Sequence, residues 1–302
     1  MHDLSTRASR GRRKDSAFTA AVLAAALLVF DQPAISATSV SESPAPEIAS
    51  GPRTVISMDA VAAGQEAIEL SASLEEGGGL IQLPIRWTVT KASGEPVFDR
   101  NEPLSAQRLS PGEYIAEARY GAVRATSPVT IPEAGAVRIN FILNAGGLRI
   151  LPRLKGLATT LPSEARIIPL DGPRKGAVLA TYQNPGEVLR VPAGAYRIES
   201  RFVDGNAMAA TDVRVKPGLL SAVEFDHIAG IARLQLANIS SAPAAWRVKD
   251  SDGSNVAAFE GIEATLALRP GSYVASVNIA GRFFTEQFVI AAGETSDISL
   301  GN

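Results

Sequence analysis

The sequence predicts an all-β chain in which three tandem antiparallel β-sandwich modules follow an N-terminal signal peptide. Three observations predict it: a tyrosine-centred motif that recurs three times, period-two alternation of apolar residues, and a short apolar run behind a basic N-terminus.

The chain begins with a basic cluster, Arg7, Arg10, Arg12, Arg13 and Lys14, followed by the charge-free apolar run Ala17 to Phe30. Spanning a bilayer takes roughly 20 apolar residues, so a run of this length suits the core of a secretory signal. Gln32-Pro33 breaks it and the small residues Ala34, Ser36 and Ala37 follow, placing the signal peptide over residues 1–37. A retained anchor is the alternative. The Ser/Pro-rich stretch 38–53 reads as a flexible linker.

The repeat aligns on tyrosine: Leu109-Ser110-Pro111-Gly112-Glu113-Tyr114, Val191-Pro192-Ala193-Gly194-Ala195-Tyr196 and Leu268-Arg269-Pro270-Gly271-Ser272-Tyr273. A glycine stands 20 residues before each tyrosine (Gly94, Gly176, Gly253) and a tryptophan 27 before the first and third (Trp87, Trp246). In the second copy Pro169 falls there, beside Ile167 and Ile168, which suggests aliphatic bulk in place of the ring. Each tyrosine opens an alternating strand, then come a glycine turn near Gly121, Gly205 and Gly281, a further strand, a second turn at Gly135, Gly218 and Gly293, and a closing strand. Opening strands begin at Ala67, Gly147 and Ala232. This yields about seven strands per copy and modules over 54–145, 146–229 and 230–302. Pro111-Gly112 and Pro270-Gly271 fit type II turns, and Pro-Ala-Gly in the second copy reads as a turn one residue longer. A tyrosine just past such a turn is placed to bury its ring and return its hydroxyl to a loop carbonyl.

The pattern apolar-x-Pro-Gly-x-Tyr, alternating strand, Gly turn, Val-rich strand, Gly turn, closing strand resembles the carboxypeptidase regulatory-like and collagen-adhesin B-type modules. That resemblance covers most of residues 55–300 and implies an Ig-like/prealbumin-like sandwich serving as a binding or structural module. Adhesin modules of this kind can carry a Lys–Asn isopeptide bond. None is assigned here, because Lys91, Lys155, Lys175, Lys216 and Lys249 share no repeat position.

Composition narrows the function classes. There is no cysteine and only two histidines, His2 and His227, which excludes thiol chemistry and leaves one imidazole past the signal for any triad or metal site. The balance of 29 basic and 31 acidic residues provides no field for nucleic acid. Asp250, Asp252 and Asn255 place oxygens at alternate positions, as a calcium loop does, but without the distal glutamate, so a polar hairpin turn is expected. His227 is read as a structural or surface residue, and Trp87 and Trp246 as core residues in preference to sugar platforms. Phe283 and Phe284 must point to opposite sheet faces; with Phe288 they mark an interaction surface. No catalytic, metal or cofactor site is assigned, and no binding residues are fixed. The expected protein is a non-enzymatic, exported binding or spacer protein of a bacterial envelope, periplasmic or secreted. Its mature chain has no membrane span, and its partner is a protein or a cell-envelope polysaccharide. A carbohydrate-binding protein and a hydrolase working with carboxylates alone are the alternatives.

Overall fold

The computed structural model describes residues 51–158, 161–238 and 244–301. The expected signal peptide and nearly all of the linker lie outside the described residues. Those described contain strands and turns, with no helix.

The first module holds β1 (Arg53–Ala60), β2 (Ala67–Ser73), β3 (Ile85–Lys91), β4 (Pro96–Glu102), β5 (Ser105–Arg108), β6 (Gly112–Tyr120), β7 (Val123–Ile131) and β8 (Gly135–Ile142). The second holds β9 (Ala145–Leu154), β10 (Ser163–Pro169), β11 (Ala180–Tyr182), β12 (Val188–Pro192), β13 (Gly194–Phe202), β14 (Met208–Val215) and β15 (Leu220–His227). The third holds β16 (Gly230–Leu236), β17 (Ala244–Asp250), β18 (Asn255–Glu260), β19 (Glu263–Leu268), β20 (Gly271–Ile279), β21 (Arg282–Ile290) and β22 (Thr295–Leu300).

Each module is two facing sheets. One sheet runs β4-β3-β6-β7, then β11-β10-β13-β14 and β18-β17-β20-β21 in the next modules. The other runs β1-β8-β2-β5, then β15-β9-β12 and β22-β16-β19. Within this antiparallel frame one ladder per module is parallel, between the opening strand and the closing strand. The alternation that predicts strands is what fills the core. In β7 every second residue, from Val123 to Ile131, is buried and those between are exposed. Residues from both sheets interleave in one apolar cluster per module.

The tyrosines form the expected corners. Tyr114, Tyr196 and Tyr273 are buried, and each hydroxyl donates to the carbonyl four residues earlier: Ser110 at 2.8 Å, Pro192 at 2.6 Å and Arg269 at 2.8 Å. The type II reading of the turns is corrected. Gly112 and Gly271 have φ of 157° and 155°, far from the roughly +80° of that turn. The backbone is already entering the strand, and the tyrosine ring folds back to within 4 Å of where each glycine's side chain would stand. The second copy's turn is not longer either, since its hydroxyl spans the same four residues; the proline has only moved one place.

Trp87 and Trp246 are fully buried, and each indole N–H donates to a carbonyl fifteen residues on, Glu102 at 2.8 Å and Gly261 at 2.9 Å. Their counterpart in the second copy is Ala165 and not Pro169. Trp87 lies opposite Ala118, Trp246 opposite Val277 and Ala165 opposite Ser200, each four residues past its corner tyrosine. A longer connection between β10 and β11 shifts the sequence count by four, and Tyr182 pairs beside Ala165 where the large ring is missing.

The strand the repeat does not announce is β1. It pairs antiparallel along the outer edge of β8, from Arg53↔Ile142 to Ala60↔Gly135, and buries almost nothing: only Thr54 is half-covered. The corresponding edges of β15 and β22 pair with no strand among the described residues.

Candidate interaction surface

Both module junctions are built from the same two parts. The hairpin turn after the tyrosine strand meets the backbone just before the next module's motif. At the first junction the Ala122 N–H donates to the Arg190 carbonyl at 2.8 Å, and the Arg190 guanidinium lies over the Tyr120 ring at 5.8 Å. At the second, the N–H groups of Asn206 and Ala207 both donate to the Ala267 carbonyl at 3.1 Å, and the Ala267 N–H returns to Asp204 at 2.9 Å. Arg190 precedes Val191 just as Ala267 precedes Leu268, so the acceptor is one repeat position.

Backbone closeness fixes the turn residues. A Cβ at Gly121 would stand 2.8 Å from the Arg190 carbonyl oxygen, and one at Gly205 would stand 2.1 Å from that of Ala267. Both glycines have positive φ, 62° and 119°. The second junction is reinforced by Asn206, which accepts from the Arg269 N–H at 2.9 Å and donates to the Tyr273 hydroxyl at 3.2 Å. Leu154, Phe202, Ala207, Ala229, Ile231 and Ala267 close around it as an apolar plug shared by two modules.

His227 lies in this region, fully buried, and its role is structural. Its Nδ1 sits 3.2 Å from the Arg153 carbonyl and its Nε2 3.2 Å from the Ser200 carbonyl, so the ring bridges the two sheets of the second module. Phe202 packs against it edge-on at 4.9 Å between centroids.

The Asp250 loop behaves as a polar hairpin turn. Asp250 Oδ1 accepts the N–H of Asp252 at 3.1 Å and of Ser254 at 2.9 Å, so that carboxylate oxygen serves the turn's own backbone. Among the described residues no acid or histidine cluster suits a metal ion. The acids instead meet arginines on exposed faces, as Asp99 does with Arg86 at 2.6 Å. That hydrogen bond, aided by the arginine's charge, lowers the Asp99 pKa.

Of the three phenylalanines, one is open to solvent and two pack on the core. Phe283 lies on the outer face of β21 and is 75% exposed, with Val289 on the same face at 67%. Phe284 and Phe288 are on the inner face, half-buried: β20 pairs them with the buried Val277 and Tyr273. Phe288 stacks on Tyr273 at 5.7 Å, and the Arg282 guanidinium covers Phe284 at 5.4 Å. The two neighbours Phe283 and Phe284 therefore face opposite ways. What sequence reading missed is that the inner face of β21 is only partly covered, with Glu286 exposed on it. Its signal was Glu286, a charge at an inward position of the alternation.

No family model matches the chain, and no curated protein matches it. Among solved structures it is similar to the Bacillus anthracis TIE protein, with 16% identity over 78% of this chain and a TM-score of 0.23. The chain spans half the length of that protein. It is also similar to GBS52, the minor pilin of Streptococcus agalactiae (11% identity, 52% of this chain, 94% of that one, TM-score 0.27). A further likeness is to BcpA, the major pilin subunit of Bacillus cereus (10% identity, 78% and 99%, TM-score 0.22). At these scores the likenesses carry no argument about partner or activity, and the tandem sandwich fold rests on the strands and registers described above.

Proposed function

We propose that the chain is a non-enzymatic, exported spacer and binding protein, periplasmic or secreted, whose modules 54–145, 146–229 and 230–302 are locked end to end. The observation that carries this reading is the recurrence of one hydrogen-bonded latch at both junctions, each closed over a glycine that leaves no room for a side chain. An enzyme gains little from repeating a rigid joint. A protein that must hold a binding face at a fixed distance gains reach and stiffness from each repetition.

Small-angle scattering on residues 54–302 tests this. A compact particle of that length has a radius of gyration of about 18 Å by the scaling 2.2·N^0.38. A locked array of three modules gives a clearly larger value and a rod-like distance distribution. A value at the compact figure would refute the spacer reading.

A further inference from the structure

Among the described residues the outer edge of β22 in the third module carries no strand, and the first module shows what lies on the matching edge there. There β1 runs along β8 and reaches over β7, where Thr54 Oγ1 lies 3.4 Å from Ser127 Oγ. Beneath it the inward residues of β7 are buried without exception. In the third module no described strand pairs on the outer edge of β22, the one away from β16, and of the matching inward residues of β21 only Ile290 is buried. Glu286, which pairs with Ala275 as Ser127 pairs with Ala116, is exposed, and Phe284 and Phe288 are half-covered.

The hydrogen-bonding groups at this edge can be assigned by parity. The carbonyls of Glu294 and Leu300 accept from the N–H groups of Ile231 and Ala237, so even-numbered residues of β22 face inward, toward β16. Thr295, Asp297 and Ser299 therefore turn their N–H and C=O groups outward. In β8 the residues Ala136, Arg138 and Asn140 occupy the corresponding places and serve β1: Leu143, of opposite parity, donates inward to Ser73.

Charge then selects the strand. In the first module three strands carry an acid–base–acid row on the outer face: Asp59 on β1 meets Arg138 at 2.5 Å, and Arg138 meets Glu69 at 3.2 Å. At the same positions in the third module the signs are reversed, with Asp297 on β22 beside Arg233 on β16 at 4.0 Å. Among the described residues the row has no outer member, and completing it takes a cation. We propose that the β22 edge binds an extended segment of a partner protein. The segment adds antiparallel to β22, puts Lys or Arg beside Asp297, turns aliphatic residues in toward Phe288, and sets a hydroxyl or cationic side chain over Glu286. The inward charge of Glu286 turns away wholly apolar strands, which bury it without a partner. This proposal rests on the reading of the chain as a binding protein, yet the two fail separately, because a rigid rod can hold with no strand bound.

The probe is a fluorescein-labelled peptide of residues 51–62, in its native form and with Asp59→Lys, titrated against the full chain and followed by anisotropy. The Asp59→Lys peptide should bind at least tenfold tighter than the native peptide. Asp297→Lys should reverse that preference. Asp297→Pro, which removes an outward N–H and leaves the ladder to β16 intact, should abolish binding of both. Equal affinity for the two peptides, binding of neither, or binding unaffected by Asp297→Pro would each overturn the proposal. Should Asp297→Pro prevent folding, the reversal by Asp297→Lys decides alone.

Discussion

Replacing Gly205 with alanine should unlock the second junction while leaving both adjoining modules folded. The new Cβ would stand 2.1 Å from the Ala267 carbonyl oxygen, where real contacts stay above 3.0 Å, so the turn must withdraw by close to an ångström. The two bonds to that oxygen start at 3.1 Å and the return bond at 2.9 Å, and such a withdrawal carries them beyond useful range. Three bonds at roughly 0.5–1.5 kcal/mol each, plus the cost of alanine at φ of 119°, set an upper bound. Relaxation exchanges one loss for another, so a net effect of about 2–4 kcal/mol on the junction is expected. The chain has no cysteine, so spin labels on Arg214→Cys and Gln287→Cys report one distance between the second and third modules. The parent should give a narrow distribution and Gly205→Ala a broad one. Gly176→Ala is the control: it has φ of 79° and open space around the site, so it carries the strain without the collision. An unchanged distribution in Gly205→Ala, or equal broadening in the control, would refute the latch.

Two further outcomes are expected. Tyr273→Phe should cost about 0.5–1.5 kcal/mol, since the ring stays and only its hydroxyl's bonds to Arg269 and Asn206 are lost, whereas Tyr273→Ala should cost about 3–5; equal and negligible shifts in Tm would place the ring outside the core. Burial raises the Tyr196 pKa far above the ordinary tyrosine value. The unfolded phenol ionises near pH 10 and the folded one does not, so stability should be full below pH 10 and fall as pH rises above it. Denaturant midpoints from pH 8 to 11 check this, and Tyr196→Phe should flatten the decline.

The repeat was legible because its most constrained parts are local. A tyrosine returning its hydroxyl to a carbonyl four residues back needs a fixed short spacing, and all three copies keep it. The tryptophan position was misplaced in the second copy because its distance to the tyrosine crosses a hairpin loop. Loops accept insertions cheaply, so counting residues across one loses the register that the sheet itself preserves. The identity of Ala165 as the counterpart was recoverable only from pairing. β1 was missed for a related reason: a strand that buries nearly nothing has no need of alternation, and Val55, Ile56 and Met58 show none that predicts a face. Pro-Gly suggests a type II turn because sequence supplies residue types and not φ, which is 157° at Gly112 and 155° at Gly271. Phe283 and Phe284 were correctly split between faces, since period two leaves adjacent residues no other choice.

The copies share one backbone acceptor position where they join and diverge along the outer edge of the closing strand. Both described junctions close on the same backbone acceptor, although the residue there is Arg190 in one and Ala267 in the other, because a carbonyl contact is indifferent to side chain. The edge is the opposite case. One copy covers it with β1, the other two leave it open among the described residues, and the charges beside it change from Glu69–Arg138 to Arg233–Asp297. The backbone part of the joint tolerates a change of side chain at the acceptor position, whereas the glycine facing it does not. An edge read through side chains can be retuned one residue at a time without disturbing the core beneath it, since Arg138 and Asp297 both point outward from strands whose buried inward residues, Val137, Ile139 and Phe141 in one and Ile298 and Leu300 in the other, are apolar. If the chain is the spacer and binder proposed above, stiffness and specificity rest on separate parts of the module. Substitutions at Gly121 and Gly205 should therefore change reach with binding intact, and substitutions at Asp297 should change binding with reach intact.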